Sequence, residues 1–575
     1  MEAIKFESDL LNISLSAFYV DETNESNPQN FMTIDEMMKQ WPTIEWLTYI
    51  NSVFSMVSDT KKINKNETVI VNYPTFITNF EKFISSTPKR VLINYAFGRA
   101  IIDLLELTNL GSNTILENED LEMKDENDWR NCVRQTADSL PEIVTALYVR
   151  NFIRDDEKLE AMNIASNIKN ELIKAINEAK WLDVETRNNA SHKVMSAKTN
   201  IGYPDFYRND NEITEIFRDL QIGESTYLHN VWKIHRFNAA LTLRGTGNKD
   251  EHFATWIPVL ASTTSSTAFY YALENVIVVS PNRLQRPTID KTQPSYMNYG
   301  RIGFVIGHEL GHVFDTLRNS ISKDKITKDL LIKTSAENLN KRVDCIMDQY
   351  NNYTFEDTNN IVNVRLPHRE NIADNVGVKM IYYAYKDWSS LHDPEPTLPG
   401  LNYTSSQMFW ISLASLRCTG RRTPNQYRII GILSNIPEFS KDFNCPLAQQ
   451  SNMCITPTCL QAAADIMENM DTSVNPCDNF FKFTCGQFLN SAFTRPDETT
   501  ASWISDMYEE IVTRLSGLLN SKISENDIKL FRQTKQLYRQ CLDRKTLTEQ
   551  QDKNILDILN KFGGWPVVIL GIQQP

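Results

Sequence analysis

The chain has 575 residues, 41% of them apolar and 10% aromatic, which is enough to build two or three buried cores and excludes a disordered or low-complexity polypeptide. Its formal net charge of −13, with no strongly basic block, argues against a nucleic-acid partner. No run of 18 apolar residues is present, and the opening Met1-Glu2-Ala3-Ile4-Lys5-Phe6-Glu7 lacks the charged-then-apolar layout of a secretory signal, so membrane attachment could come only through a segment absent from this sequence.

In chain order, apolar residues spaced three and four apart predict helices over 41–57, 73–84, 91–107, 129–152 and 157–179. Pro42, Pro74, Pro88 and Pro141 sit where such helices start or break. Strand signals are sparse here, and residues 1–200 read as a helical lobe that walls off a site. Further on, Thr267-Ala268-Phe269-Tyr270 reads as an extended edge and Val276-Ile277-Val278-Val279 as a buried strand. An edge strand can hold a peptide through main-chain hydrogen bonds.

The stretch Val305-Ile306-Gly307-His308-Glu309-Leu310-Gly311-His312-Val313-Phe314-Asp315 carries two histidines four apart. Residues i and i+4 lie on one helix face, so both imidazoles can reach one metal ion while the Glu309 carboxylate projects beside it. This is the HExxH arrangement of a zinc hydrolase, with His308 and His312 as ligands and Glu309 as general base. Zn²⁺ in such an enzyme takes three protein ligands and keeps one position for water, which calls for a downstream acid on another helix. Glu370 supplies it, at the start of Glu370-Asn371-Ile372-Ala373-Asp374-Asn375. The same i, i+4 spacing puts Asp374 on its face, placed to hold the outer N–H of a ligand histidine.

Together these two stretches resemble the neprilysin family of zinc metalloendopeptidases, and the resemblance extends over nearly the whole chain. It implies a mainly α, two-lobed zincin-type metallopeptidase with a small β-sheet in the catalytic lobe, zinc as cofactor and peptides as substrates. His308, His312 and Glu370 then match the family's ligands, Glu309 its base, and Asp315 and Asp374 the aspartates behind the ligands. Thr267, followed by Ala268, stands where the family has an Asn that grips the substrate backbone. Arg428, within Tyr427-Arg428-Ile429-Ile430-Gly431, matches an Arg that hydrogen-bonds a substrate carbonyl. Arg422 occupies the place of a His that stabilises the oxyanion, Arg417 that of a Trp in the pocket for the side chain after the scissile bond, and the loop over 418–423 is shortened. Two readings stay open on these departures: a zinc endopeptidase with turnover below the family pattern, and a catalytically weak or inactive peptide-binding protein.

The family's usual location, extracellular or at the cell surface, agrees with six Asn-x-Ser/Thr sequons, at Asn12, Asn24, Asn66, Asn189, Asn352 and Asn402, and with nine cysteines. The stretch 181–203 resembles the family's hinge into the catalytic lobe, taken here as 201–453. The last segment, 454–575, resembles the start of a family member, including Asn475-Pro476-Cys477-Asp478-Asn479-Phe480-Phe481 and Gly563-Gly564-Trp565-Pro566, yet it stands at the end of this chain. The resemblance implies the pairs Cys454–Cys459, Cys445–Cys477, Cys418–Cys485 and Cys132–Cys541, with Cys345 left over. Three of the four pairs join the displaced segment to the body, so 454–575 is expected to dock back on the same chain, as in a circular permutant.

Overall fold

Helix boundaries follow local signals. In the computed structural model the described residues are 2–23, 30–55, 62–71, 73–107, 128–223, 226–245, 267–272, 274–315, 320–321, 327–328, 331–351, 368–418, 424–444, 466–491 and 501–561. Pro74 opens the helix Pro74–Ser86 at its first position, where a missing N–H costs nothing. Pro141 divides the expected 129–152 helix into Asp128–Ser139 and Pro141–Phe152. Three acidic residues in the first turn favour the start of Asp155–Glu178 through the helix dipole. The expected 41–57 helix is shorter, Trp46–Phe54, because Trp41 closes a preceding helix, Ile34–Gln40, that Thr33 and Glu36 cap reciprocally. Two short strands, Asn30–Thr33 and Thr68–Val71, pair antiparallel in a region read as helical. Among the described residues no helix is long and apolar enough to cross a membrane.

The chain forms two units, each assembled from separated stretches. One consists of Met1–Ile143, Asp210–Ala254 and Ser516–Pro575, the other of Val144–Asn209 and Thr255–Leu515. The sequence expectation took 1–200, 201–453 and 454–575 as consecutive blocks; here 144–209 shares a unit with the HExxH helix, and 454–575 is divided between the two units.

In the first unit the late helix Lys529–Leu542 packs on Asp128–Ser139 and Tyr227–Gly245. Its buried Leu530, Phe531, Thr534, Leu537, Tyr538 and Cys541 recur at helical spacing. Gln533 donates from Nε2 to the Ile222 carbonyl at 2.7 Å, and Asn230 from Nδ2 to Gln540 Oε1 at 2.9 Å. The bridge Cys132–Cys541 closes this arrangement with Cα atoms 5.7 Å apart. It joins positions 409 residues apart, so opening it frees a long stretch of unfolded chain. A Cys132→Ala/Cys541→Ala variant is expected to lose about 2–5 kcal/mol of stability in denaturant titration. A midpoint unchanged from wild type would show that packing alone sets the dock.

In the second unit a three-stranded sheet has Val276–Val279 at its centre, all four residues buried. Lys198–Ile201 pairs with it in parallel and Ala268–Tyr271 antiparallel, the latter forming one edge. The site helix Ile302–Asp315 lies against this sheet and packs on two long helices, Asp155–Glu178 and His368–Ser390. Behind them Ser405–Ser415, whose side chains from Met408 to Ser415 are all buried, packs on Ser295–Gly300 and on Phe480–Ser491 of the displaced segment. The bridge Cys418–Cys485 holds that last contact at a Cα separation of 5.3 Å. The displaced segment therefore docks on the body through both bridges that lie within the described residues, as the permutant reading expected. Cys345 is a free, exposed thiol, also as expected. Cys445, Cys454 and Cys459 lie outside the described residues, and the other two expected pairs with them.

Candidate functional site

The site is built where two helices touch backbone to backbone. A Cβ on Gly311 would lie 2.4 Å from the Ala373 carbonyl oxygen, and one on Gly377 would lie 2.4 Å from that of Gly307. Real Cβ atoms do not come that close, so only glycine lets Ile302–Asp315 and His368–Ser390 approach this far. Gly307 and Gly311 of the site helix each precede a histidine by one residue, and the close approach brings His308 and His312 to the first turns of the facing helix.

There His308 Nε2 and His312 Nε2 stand 3.1 Å apart. Glu370 reaches both, with Oε2 3.2 Å from His308 Nε2 and Oε1 3.3 Å from His312 Nε2. His308 donates from Nδ1 to Asp374 Oδ1 at 2.7 Å, which leaves its Nε2 lone pair aimed at the same point as the other two donors. Asp374 is fully buried; its second oxygen, Oδ2, accepts from Arg428 Nε at 2.6 Å. Burial pushes the Asp374 carboxyl up, but Arg428 and the His308 bond outweigh it and hold the group well below the usual carboxylate range. Glu370 is also held well below that range, by its bonds to the two histidines.

Glu309 is 5% exposed. Burial raises its affinity for a proton, and the nearby histidines pull the other way without cancelling that effect. Its carboxylate lies within 4.8 Å of the histidine nitrogens.

A cavity of about 380 Å³ opens on these groups. His308, Glu309 and Glu370 form its floor; Thr267 and Ala268, at the sheet edge, form one side. Arg283, Arg417 and Arg428 contribute three guanidinium groups to its walls. Phe304, Val305 and Leu416 supply apolar surface, and Ser502 and Ile504 come from the displaced segment. The structure thus places Thr267, Ala268, His308, Glu309, Glu370 and Arg428 around one cavity, with His312 and Asp374 against its floor. Asp315 ends the site helix, but its side chain, like the whole of Arg422, lies outside the described residues. Sequence reasoning missed Arg283, Ser502, Ile504 and the glycine contact. Only the glycines left a signal, the spacing of four between Gly307 and Gly311.

The model for the amino-terminal part of peptidase family M13 matches residues 1–204 and 476–574, and the second model of that family matches residues 267–459. Those two amino-terminal pieces alone cover more than half of the chain. The chain belongs to peptidase family M13, the neprilysin family of metallopeptidases. Within this family it is 30% identical over 484 residues to Neprilysin-2 of Drosophila melanogaster, covering 78% of this chain and 61% of the relative. It is 29% identical over 482 residues to endothelin-converting enzyme 1 of Rattus norvegicus, covering 78% and 60%. The chain therefore spans about three fifths of the length of these M13 relatives. Among solved structures it is similar to Mycobacterium tuberculosis zinc metalloprotease Zmp1 in complex with inhibitor, with a TM-score of 0.54, 19% identity and coverage of 80% and 69%. A second is PepO from Lactobacillus rhamnosis HN001, with a TM-score of 0.55, 16% identity and coverage of 80% and 70%. These two likenesses bear out the mainly helical M13 fold with its small sheets.

Proposed function

We propose that this chain is a zinc-dependent endopeptidase, with His308, His312 and Glu370 as the zinc ligands and Glu309 as the general base. The observation that carries it is the donor cluster in which His308 Nε2 and His312 Nε2 stand 3.1 Å apart and each faces one oxygen of Glu370, at 3.2 and 3.3 Å. Ligands about 2.0–2.1 Å from a tetrahedral zinc stand about 3.3 Å from each other, so the donor set fits in type and size. Zinc there would supply Lewis acidity toward water and toward the scissile carbonyl. The chain's own groups do the rest. Glu309 takes the proton from the attacking water and passes it to the leaving amine, a task for a buried carboxylate whose proton affinity is raised. Asp374 fixes the His308 tautomer and steadies Arg428. With Nε given to Asp374 and Nη2 3.5 Å from Glu370 Oε2, the other terminal nitrogen of Arg428 serves a substrate carbonyl. Thr267 and Ala268 align the peptide main chain along the sheet edge.

Family membership supports the metallopeptidase reading. An extracellular or cell-surface place for it rests on the relatives and the sequons. Incubation of purified protein with a mixed peptide set, with and without a chelator, tests the activity: internal cleavage that the chelator abolishes is expected. Stoichiometric zinc without any cleavage would instead support the peptide-binding alternative.

Asp374→Asn is expected to weaken zinc binding by about 10–100-fold, because the amide offers one acceptor where His308 and Arg428 now use two. Competition with a metallochromic chelator measures it. Unchanged affinity would show that Asp374 does not orient His308.

A further inference from the structure

Among the described residues one non-glycine has a positive φ, Asn275 at 49°. That region crowds the Cβ of most residues, and asparagine tolerates it when its short carboxamide bonds locally. Here the carboxamide bonds in three directions. Its Oδ1 accepts from the Tyr270 hydroxyl at 2.8 Å, and its Nδ2 donates to the Lys193 carbonyl at 3.0 Å and to Ser196 Oγ at 3.2 Å. The Asn275 carbonyl accepts from the Lys198 N–H at 2.9 Å. One residue therefore ties together the edge strand Ala268–Tyr271, the last turn of the helix Val184–Ser196 and the start of the strand Lys198–Ile201. Lys193 is buried and adds a second tie, its Nζ 5.9 Å from the centre of the Tyr270 ring.

The strand held in this way begins at Ala268, which lines the cavity together with Thr267. It is four residues long and stands at the edge of the sheet, paired with Val276–Val279 alone. Beyond its Thr267 end the ladder closes with a long bond, from the Ser280 N–H to the Thr267 carbonyl at 3.3 Å. So short a ladder resists tilting weakly, and a tilt turns main-chain donors and acceptors away from a peptide laid along the edge. The Asn275 hub restrains the strand at its turn end, and Tyr270 carries the restraint to the strand face that Ala268 shares, two residues away. We propose that Asn275, acting through Tyr270, is a positioning residue that keeps the edge strand in line for the peptide main chain. The inference rests on the peptide-cleaving reading above and adds to it what orients Thr267 and Ala268. Asn275 takes no part in breaking the bond; its effect is on binding that ground state and transition state share.

The test uses quenched fluorescent peptides in which one amide at a time, other than the cleaved one, is replaced by an ester, which deletes a single N–H donor. Wild-type protein is expected to lose about 10-fold in kcat/KM for an ester at one or two positions beside the cleaved bond, where the peptide donates to the edge. Asn275→Gly keeps the backbone conformation and deletes the carboxamide, and Tyr270→Phe deletes only the hydroxyl. Each should raise KM by about 3–10-fold with kcat little changed, and each should cut the ester penalty to about 3-fold or less. A purely structural asparagine would lower stability without touching the ester penalty. Zinc content and thermal midpoint are measured for every variant. The same peptides are titrated by fluorescence anisotropy onto zinc-loaded Glu309→Gln protein, alone and combined with Asn275→Gly or Tyr270→Phe. An ester penalty in binding that both substitutions shrink upholds the proposal even if wild type cleaves nothing. Cleavage in which esters cost the same in wild type and variants, or cost nothing in wild type, overturns it while leaving the endopeptidase reading intact, and so does loss of zinc from both variants. Absence of both cleavage and peptide binding overturns both.

Discussion

Glu309→Gln should keep its zinc and lose at least about 10²-fold in turnover. The amide has the same shape, so packing around a residue that is 5% exposed is preserved. What disappears is a basic oxygen beside the donor cluster. Because burial raises the proton affinity of Glu309, the wild-type carboxylate is the better proton acceptor for it, and an amide cannot take a proton at all. Metal analysis and peptide turnover on the same preparation make the check. Equal turnover in the two proteins would place the activity outside this site.

Gly311→Ala and Gly377→Ala should each cost zinc as well as stability. The added methyl meets main-chain atoms at 2.4 Å, and main chain cannot swing aside as a side chain can. Relief requires the two helices to separate by about an ångström, with a destabilisation of about 1–3 kcal/mol or more. The same separation carries Glu370 away from His308 and His312, so zinc should fall below one per chain and turnover should go with it. Gly98→Ala is the control. It lies in the helix Lys89–Glu106 with nothing within 4 Å of a new Cβ, and alanine there should raise stability by about 0.5–1 kcal/mol. Full zinc occupancy in Gly311→Ala and Gly377→Ala would refute the idea that this contact sets the donor cluster.

The parts of this molecule that could be read in advance are those governed by short-range rules. The pairing of His308 with His312 follows from helix geometry, and Glu370 and Asp374 obey the same spacing four residues apart. The helices around Pro74, Pro141 and Asp155 were legible for the same reason. The strand Lys198–Ile201 was not, because four residues of mixed polarity carry no alternation that distinguishes them from a loop. Arg283, Ser502 and Ile504 could not be read either, since nothing local ties a residue after the sheet, or two residues about 190 positions beyond His308, to the ligand face. The division into two units was hidden by the same distance: each unit is closed by chain that arrives late, and contiguous sequence blocks do not show it.

Synthesis from the amino terminus gives the interleaving a cost in time. His308 emerges first, and the wall residues Ser502 and Ile504 follow it only after about 190 further residues, a delay on the order of 10–40 s at ~5–20 residues per second. During that interval Cys418 has no Cys485 to meet, and Cys132 waits far longer for Cys541. Neither unit can settle while the ribosome is still making its middle, so both must complete late, with cysteines and apolar helix faces held open to the wrong partners. Yield in a cell should therefore depend on oxidation being slow relative to synthesis, and a lumen rich in disulfide-reshuffling catalysts suits such a chain better than a rapidly oxidising one.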